Sequence, residues 1–109
     1  MVKTRDEALR VVREFRARLA EIYGARLRGV YLFGSFARGE ATEDSDIDVA
    51  VVLAGTLNPY RESERTSAIF GELSQREHCL LVPFFLSEGE YEAQQSAVDR
   101  SIAAEGVPV

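Results

Sequence analysis

Two apolar runs stand on either side of a polar loop, and they leave the chain few ways to fold. Val30-Tyr31-Leu32-Phe33 leads into Gly34-Ser35, and ten residues later Asp46-Ile47-Asp48 opens onto Val49-Ala50-Val51-Val52-Leu53. Short apolar runs bounded by breakers read as buried strands. Side chains alternate along a strand, so Asp46 and Asp48 leave it on one side and Ile47 on the other. Carboxylates held that close repel each other unless a cation sits between them. A hard cation such as Mg²⁺, or Mn²⁺ in its place, takes oxygen ligands and keeps room for water and phosphate. Gly34-Ser35 lies where a strand gives way to a turn or short helix, and free backbone N–H groups there can cradle phosphate. One loop thus offers a phosphate cradle and a pair of metal-binding acids.

The rest of the chain supplies helices around these strands. Thr4-Arg5-Asp6-Glu7 reads as a capping box with Thr4 as N-cap and Glu7 reaching back. Ala8, Val11, Val12, Phe15, Leu19 and Ile22 follow at helical spacing, and Gly24 ends the helix. Arg10, Arg13, Arg16 and Arg18 fall mostly off that stripe, on a solvated face. The first strand spans 27–33, one helical turn is expected from Ser35 to Arg38, and the second strand spans 46–53. That second strand is apolar enough on both faces beyond Asp48 to be central. Breakers over 54–59 precede a helix from Tyr60 to about Glu77, with Ile69, Phe70 and Leu73 inward. A third strand covers 79–86, where Pro83 implies an edge position or a bulge. Ser87-Glu88-Gly89-Glu90 is a second capping box, starting a last helix that runs to about Glu105 and stops at Gly106 and Pro108. The expectation is one domain over 1–109, a small α/β sandwich.

Composition narrows the function. The single Cys79 excludes an internal disulfide and, beside the single His78, cannot furnish a four-ligand zinc site. No run approaches the length of a membrane span, and the N-terminus is charged from Lys3 onward, so the cytoplasm is the expected compartment. Net charge is −5, but residues 1–38 carry nine Lys/Arg against four Asp/Glu, and residues 39–109 carry four against fourteen. The acidic remainder argues against a general nucleic-acid binder, while the basic third could meet a triphosphate, an RNA end or an acidic partner. Gly34-x-x-x-x-Gly39 matches half of a P-loop, but Glu40-Ala41 stand where Lys-Ser/Thr are required.

The string Gly34-Ser35-Phe36-Ala37-Arg38-Gly39, followed by Ser45-Asp46-Ile47-Asp48-Val49, resembles the signature of the DNA polymerase β-like nucleotidyltransferase superfamily, and within it the minimal nucleotidyltransferase (MNT) branch. The tail, including Leu86-Ser87-Glu88-Gly89-Glu90-Tyr91 and Glu105-Gly106-Val107, also looks like MNT sequences. The resemblance implies an α+β fold with a mixed sheet backed by helices. It implies transfer of a nucleoside monophosphate, AMP from ATP, with Mg²⁺ as cofactor. On that pattern Asp46 and Asp48 are the catalytic, metal-holding pair, and Gly34, Ser35 and Arg38 meet the triphosphate. Arg38 has a second reading, a buttress for the loop through a carboxylate such as Asp44.

Stand-alone MNT domains are typically antitoxins paired with a HEPN-domain toxin, which they can modify with AMP. A HEPN-domain partner is therefore implied, and self-association is compatible with the reading. One departure stands out. Active superfamily members usually carry a third carboxylate on a later strand, and the matching segment, Cys79-Leu80-Leu81-Val82-Pro83-Phe84-Phe85-Leu86, holds no acid. Leu80 falls near the expected position, with Glu77 and His78 as the nearest substitutes. Two functions from different classes follow: a metal-dependent transferase acting on a partner protein, or a nucleotide-binding module that neutralises a partner by contact.

Overall fold

The computed structural model describes residues 2–109. Its centre is a four-stranded mixed sheet with strand order β3-β2-β1-β4, built from β1 (Leu27–Phe33), β2 (Ile47–Leu53), β3 (Leu81–Ser87) and β4 (Val107–Pro108). β1 runs antiparallel to β2 and β4, whereas β2 and β3 are parallel. β2 lies inside the sheet, as its apolar character requires, and Pro83 sits in the edge strand β3, where its missing N–H is tolerated. Alternation splits the sheet into two faces. Val30, Leu32, Ile47, Val49, Val51, Leu53, Leu81 and Phe85 form one core with the long N-terminal helix α1 (Arg5–Tyr23) and with Leu73. Leu73 belongs to α3 (Pro59–Glu77). Phe33, Ala50, Val52 and Leu86 face the other way, against Ile102.

Local chemistry sets the helix ends. The Thr4 hydroxyl accepts the Glu7 N–H at 3.2 Å and donates to the Glu7 carboxylate at 3.0 Å, so Glu7 meets the hydroxyl of the cap where the capping box would have it meet the backbone N–H. Gly24, at φ 54°, closes α1. Asn58 caps α3 by accepting the Tyr60 and Arg61 N–H groups, and Pro59 occupies the first turn, where no donor is needed. Ser87 and Glu90 complete the second capping box.

Three expectations are corrected. Ile22 does not continue the buried stripe of α1; it is 40% exposed, and Tyr23 is buried in its place. Both positions follow Leu19 at helical spacing, and Tyr23 gains a partner there, donating to the buried Glu62 at 2.7 Å. The last helix is two helices, α4 (Glu88–Ala93) and α5 (Ala97–Glu105). Gln94 adopts a left-handed conformation at φ 50°, and the Ser96 hydroxyl accepts the Asp99 N–H at 3.0 Å to start α5. The break lets α5 lay Ile102 against the sheet. Finally, Gly106 and Pro108 stop a helix but also launch β4, which pairs Val107 with Leu32 and Pro108 with Tyr31.

Candidate active site

The site is assembled where β1 ends and β2 begins. Gly34 follows β1 and precedes the four-residue helix α2 (Ser35–Arg38), which ends at Gly39 in the left-handed region, φ 74°. The first N–H groups of such a turn have no partner further back in the helix. Among the described residues no hydrogen bond engages the Ser35 hydroxyl, so it too is available. Arg5 of α1 donates to the Ala37 carbonyl and ties the turn to the body of the protein.

Register places Phe33 directly beside Asp48, and Asp48 beside Val82 of β3. Asp48 therefore emerges next to Gly34. A Cβ at Gly34 would stand 2.3 Å from the Asp48 Oδ2 and 3.1 Å from its Cγ. The sequence reading gave Gly34 the task of cradling phosphate. The structure adds a nearer one: the missing side chain is the space the Asp48 carboxylate occupies.

Asp46 is exposed at the rim, just before β2, and Asp48 is half-buried. Burial, and then the neighbouring Asp46 charge, push the Asp48 carboxyl above its ordinary range, with the Arg38 guanidinium opposing the rise. Burial disfavours the charged form, and the like charge beside it adds to that effect. The loop leading to them is pinned by Ser45, whose hydroxyl accepts the Thr42 N–H at 2.8 Å and whose own N–H reaches the Thr42 carbonyl at 3.1 Å.

A cleft of about 350 Å³ gathers Gly34, Ser35, Arg38 and Asp48, with Ser101 and Glu105 of α5 as its far wall. Asp46 lies beside this cleft rather than in its lining. Arg38 is a buttress through other carboxylates than expected: it bonds Glu40 and Glu105, each at 3.0 Å, and makes no pair with Asp44. Ser101 and Glu105 escaped the sequence reading. Their i, i+4 spacing put them on one helical face, but only the break before α5 turns that face toward the loop.

No third acid joins the pair. Among the described residues no group of three or more His, Cys, Asp or Glu side chains is placed to hold a metal. Val82 occupies the position beside Asp48, and Leu80, just outside β3, is 55% exposed, its carbonyl accepting the Ile47 N–H. Glu77 is held by Arg10 and Arg76, each at 2.9 Å, which lowers its pKa and leaves it no role at the pair. His78 is an exposed, left-handed residue at the end of α3. The pair still fits a cation that brings its own oxygens, because two carboxylates with phosphate and water complete a hard-cation shell.

The comparisons with known proteins agree with this geometry. The nucleotidyltransferase domain model matches residues 12–103. A candidate protein adenylyltransferase of Methanocaldococcus jannaschii is 31% identical over 77 residues, 71% of this chain and 77% of that protein. A candidate minimal nucleotidyltransferase of known structure is 27% identical and superposes with a TM-score of 0.56, covering 98% of this chain and 97% of that one. A toxin–antitoxin complex solved with AMP-PNP shares the fold, at 21% identity and TM-score 0.59, over 87% of this chain and 69% of that one. A sheet that sets two acids beside a glycine-serine turn, in a chain matched over most of its length, makes this protein a member of the nucleotidyltransferase domain family.

Proposed function

We propose that the chain is a divalent-cation-dependent adenylyltransferase that moves AMP from ATP to a hydroxyl group of a HEPN-domain partner, and that it acts as the antitoxin of such a pair in the cytoplasm. The observation that carries this reading is the Gly34–Asp48 juxtaposition, which brings the glycine-serine turn and the Asp48 carboxylate to one cleft, with the Asp46 charge beside them. The protein-adenylylating activity named for the Methanocaldococcus relative supports the acceptor class. The toxin–antitoxin fold likeness is compatible with the partner.

In the reaction the acceptor oxygen attacks the α-phosphorus, a new P–O bond forms, and pyrophosphate leaves with the electrons of the broken bond. The hydroxyl proton passes to solvent. Asp46 and Asp48 would hold Mg²⁺, which when bound offsets charge building on the phosphoryl oxygens. The Ser35 hydroxyl and the N–H groups of α2 orient the β and γ phosphates, and Arg38 exchanges a carboxylate for a phosphate oxygen. Among the described residues no group is placed as a general base, an effect typically worth about 10²–10⁴ in rate. A slow enzyme suffices when its acceptor is held in a complex, because proximity replaces part of that drive.

The acid-free β3 favours one other reading, a nucleotide-binding module that neutralises its partner by contact. Incubation with labelled ATP, Mg²⁺ and the co-encoded HEPN-domain protein separates the two. The transferase adds the mass of AMP to the partner and loses that ability in an Asp46→Asn/Asp48→Asn variant. Full neutralisation of the partner by that variant, with no mass change under the unaltered protein, would establish the contact reading instead.

A further inference from the structure

Beyond the catalytic cleft, the other end of the same sheet face carries a second concavity, of about 310 Å³, along the edge strand β3. Three of the five large hydrophobic side chains that the described residues expose, Tyr60 (87%), Phe84 (37%) and Val98 (43%), line it together. Such convergence marks a binding surface, whereas scattered exposed residues do not. Its charged lining is acidic: Glu90 and Asp99 take part, and no basic side chain does. The Glu90 carboxylate is partly engaged by the Ser87 N–H at 3.0 Å, which leaves Asp99 the freer of the two.

This groove adjoins the catalytic cleft. Val98 lines both, and Phe84 packs edge-on against Phe33 of the cleft with ring centroids 5.3 Å apart. Phe84 is in register with Ala50, two residues along β2 from Asp48 on the same face. Strand spacings put it about 7–8 Å from that acid.

The order of parts across the sheet decides what belongs there. The phosphate cradle follows β1, the acids open β2, and the groove lies on β3. In phosphoryl-transfer chemistry the attacking and leaving oxygens lie roughly in line through phosphorus. With the departing pyrophosphate over the cradle, the attacking oxygen comes from the β3 side. We infer that the β3 groove docks the acceptor: a polypeptide segment whose apolar side chains seat on Tyr60, Phe84 and Val98, whose Lys or Arg meets Asp99 and Glu90, and whose hydroxyl residue overhangs Asp46 and Asp48. The inference rests on the adenylyltransferase reading for its chemistry, with MgATP as co-reactant and the bond changes given above.

The test uses the full chain and two fluorescent ten-residue peptides. Each has one Tyr among Leu and Val, and they differ only in carrying two Lys or two Glu. Anisotropy should show the Lys peptide binding and the Glu peptide not. Tyr60→Ala should weaken the Lys peptide about fivefold, as for the loss of a seated aromatic. Asp99→Lys should weaken it about tenfold and let the Glu peptide bind. MgATP affinity, measured separately by calorimetry, should stay within about twofold in both variants. Loss of MgATP affinity in Tyr60→Ala and Asp99→Lys would overturn the inference and make the groove a nucleobase pocket. Equal peptide affinity in all proteins would also overturn it. So would a dimer, seen by sedimentation, that Tyr60→Ala dissociates, since the groove would then serve a second copy. If MgATP fails to bind even the unaltered protein, the adenylyltransferase reading falls, while the peptide measurements still decide whether the groove is a polypeptide site.

Discussion

Replacing Gly34 by alanine tests the geometry of the site in a single methyl group. Gly34 has φ 76° and ψ −156°, a region essentially restricted to glycine. Forcing a side chain into it costs about 1–3 kcal/mol. The new Cβ would also stand 2.3 Å from the Asp48 Oδ2, 3.1 Å from its Cγ and 3.2 Å from its Cβ. The oxygen can swing aside, but the Asp48 Cβ is fixed by β2, so overpacking adds about 1–3 kcal/mol. Together these predict a loss of about 2–6 kcal/mol in urea unfolding, with the carboxylate turned away from the cleft. Gly39→Ala is the control. It also has a positive φ, yet its nearest outside atom is 3.9 Å away, so it bears only backbone strain of about 1–2 kcal/mol. Gly34→Ala should therefore abolish Mn²⁺-dependent ATP binding in calorimetry while Gly39→Ala keeps it. If Gly34→Ala unfolds within about 0.5 kcal/mol of the unaltered protein and binds ATP normally, the close approach of Gly34 and Asp48 is wrong.

Further predictions concern the acids and the parts that position them. Because burial and Asp46 raise the Asp48 carboxyl, its ionised form opposes folding at neutral pH, so Asp48→Asn should raise the unfolding midpoint there. The gain should fade as pH falls through the carboxylate range, where the acid is protonated in both states; a less stable Asn variant at neutral pH would contradict this. Tyr23→Phe leaves the buried Glu62 with only Arg65, at 3.5 Å, and should cost about 1–3 kcal/mol in urea unfolding; a neutral result would mean water replaces the hydroxyl. Ser96→Ala removes the cap of α5, the far wall of the cleft, and should cost about 1 kcal/mol while raising amide exchange over Ala97–Glu105. Unchanged exchange there would show that Ile102 alone holds α5.

Patterns that depend on near neighbours were legible in the sequence, whereas those set by distant partners were not. β1 and α2 were bounded correctly because alternation, a glycine and a short polar turn are local signals. β2 was central and β3 an edge because apolar faces and Pro83 report burial directly. The split of the last helix turned on Gln94, whose left-handed conformation nothing in its own chemistry demands, although Ser96-x-x-Asp99 did carry a second cap signal. β4 is two residues long and exists because β1 offers an open edge, a fact of tertiary structure. At the site, the loop and the acids could be read from spacing. Glu105 could not, because its meeting with Arg38 joins residues 67 apart in sequence. Glu40, two residues from Arg38, was within local reach, and the reading chose Asp44 in its place.

The central claim is that Asp46 and Asp48 hold a divalent cation against a triphosphate seated at Gly34-Ser35. Calorimetric titration of ATP into the unaltered protein and into the Asp46→Asn/Asp48→Asn variant, each with Mg²⁺ and with chelator, tests it most directly. The account predicts appreciable binding only for the unaltered protein with Mg²⁺, and an affinity at least about tenfold weaker, about 1.4 kcal/mol, in the variant. Equal ATP affinity with Mg²⁺ and with chelator, or equal affinity in the two proteins, would contradict it.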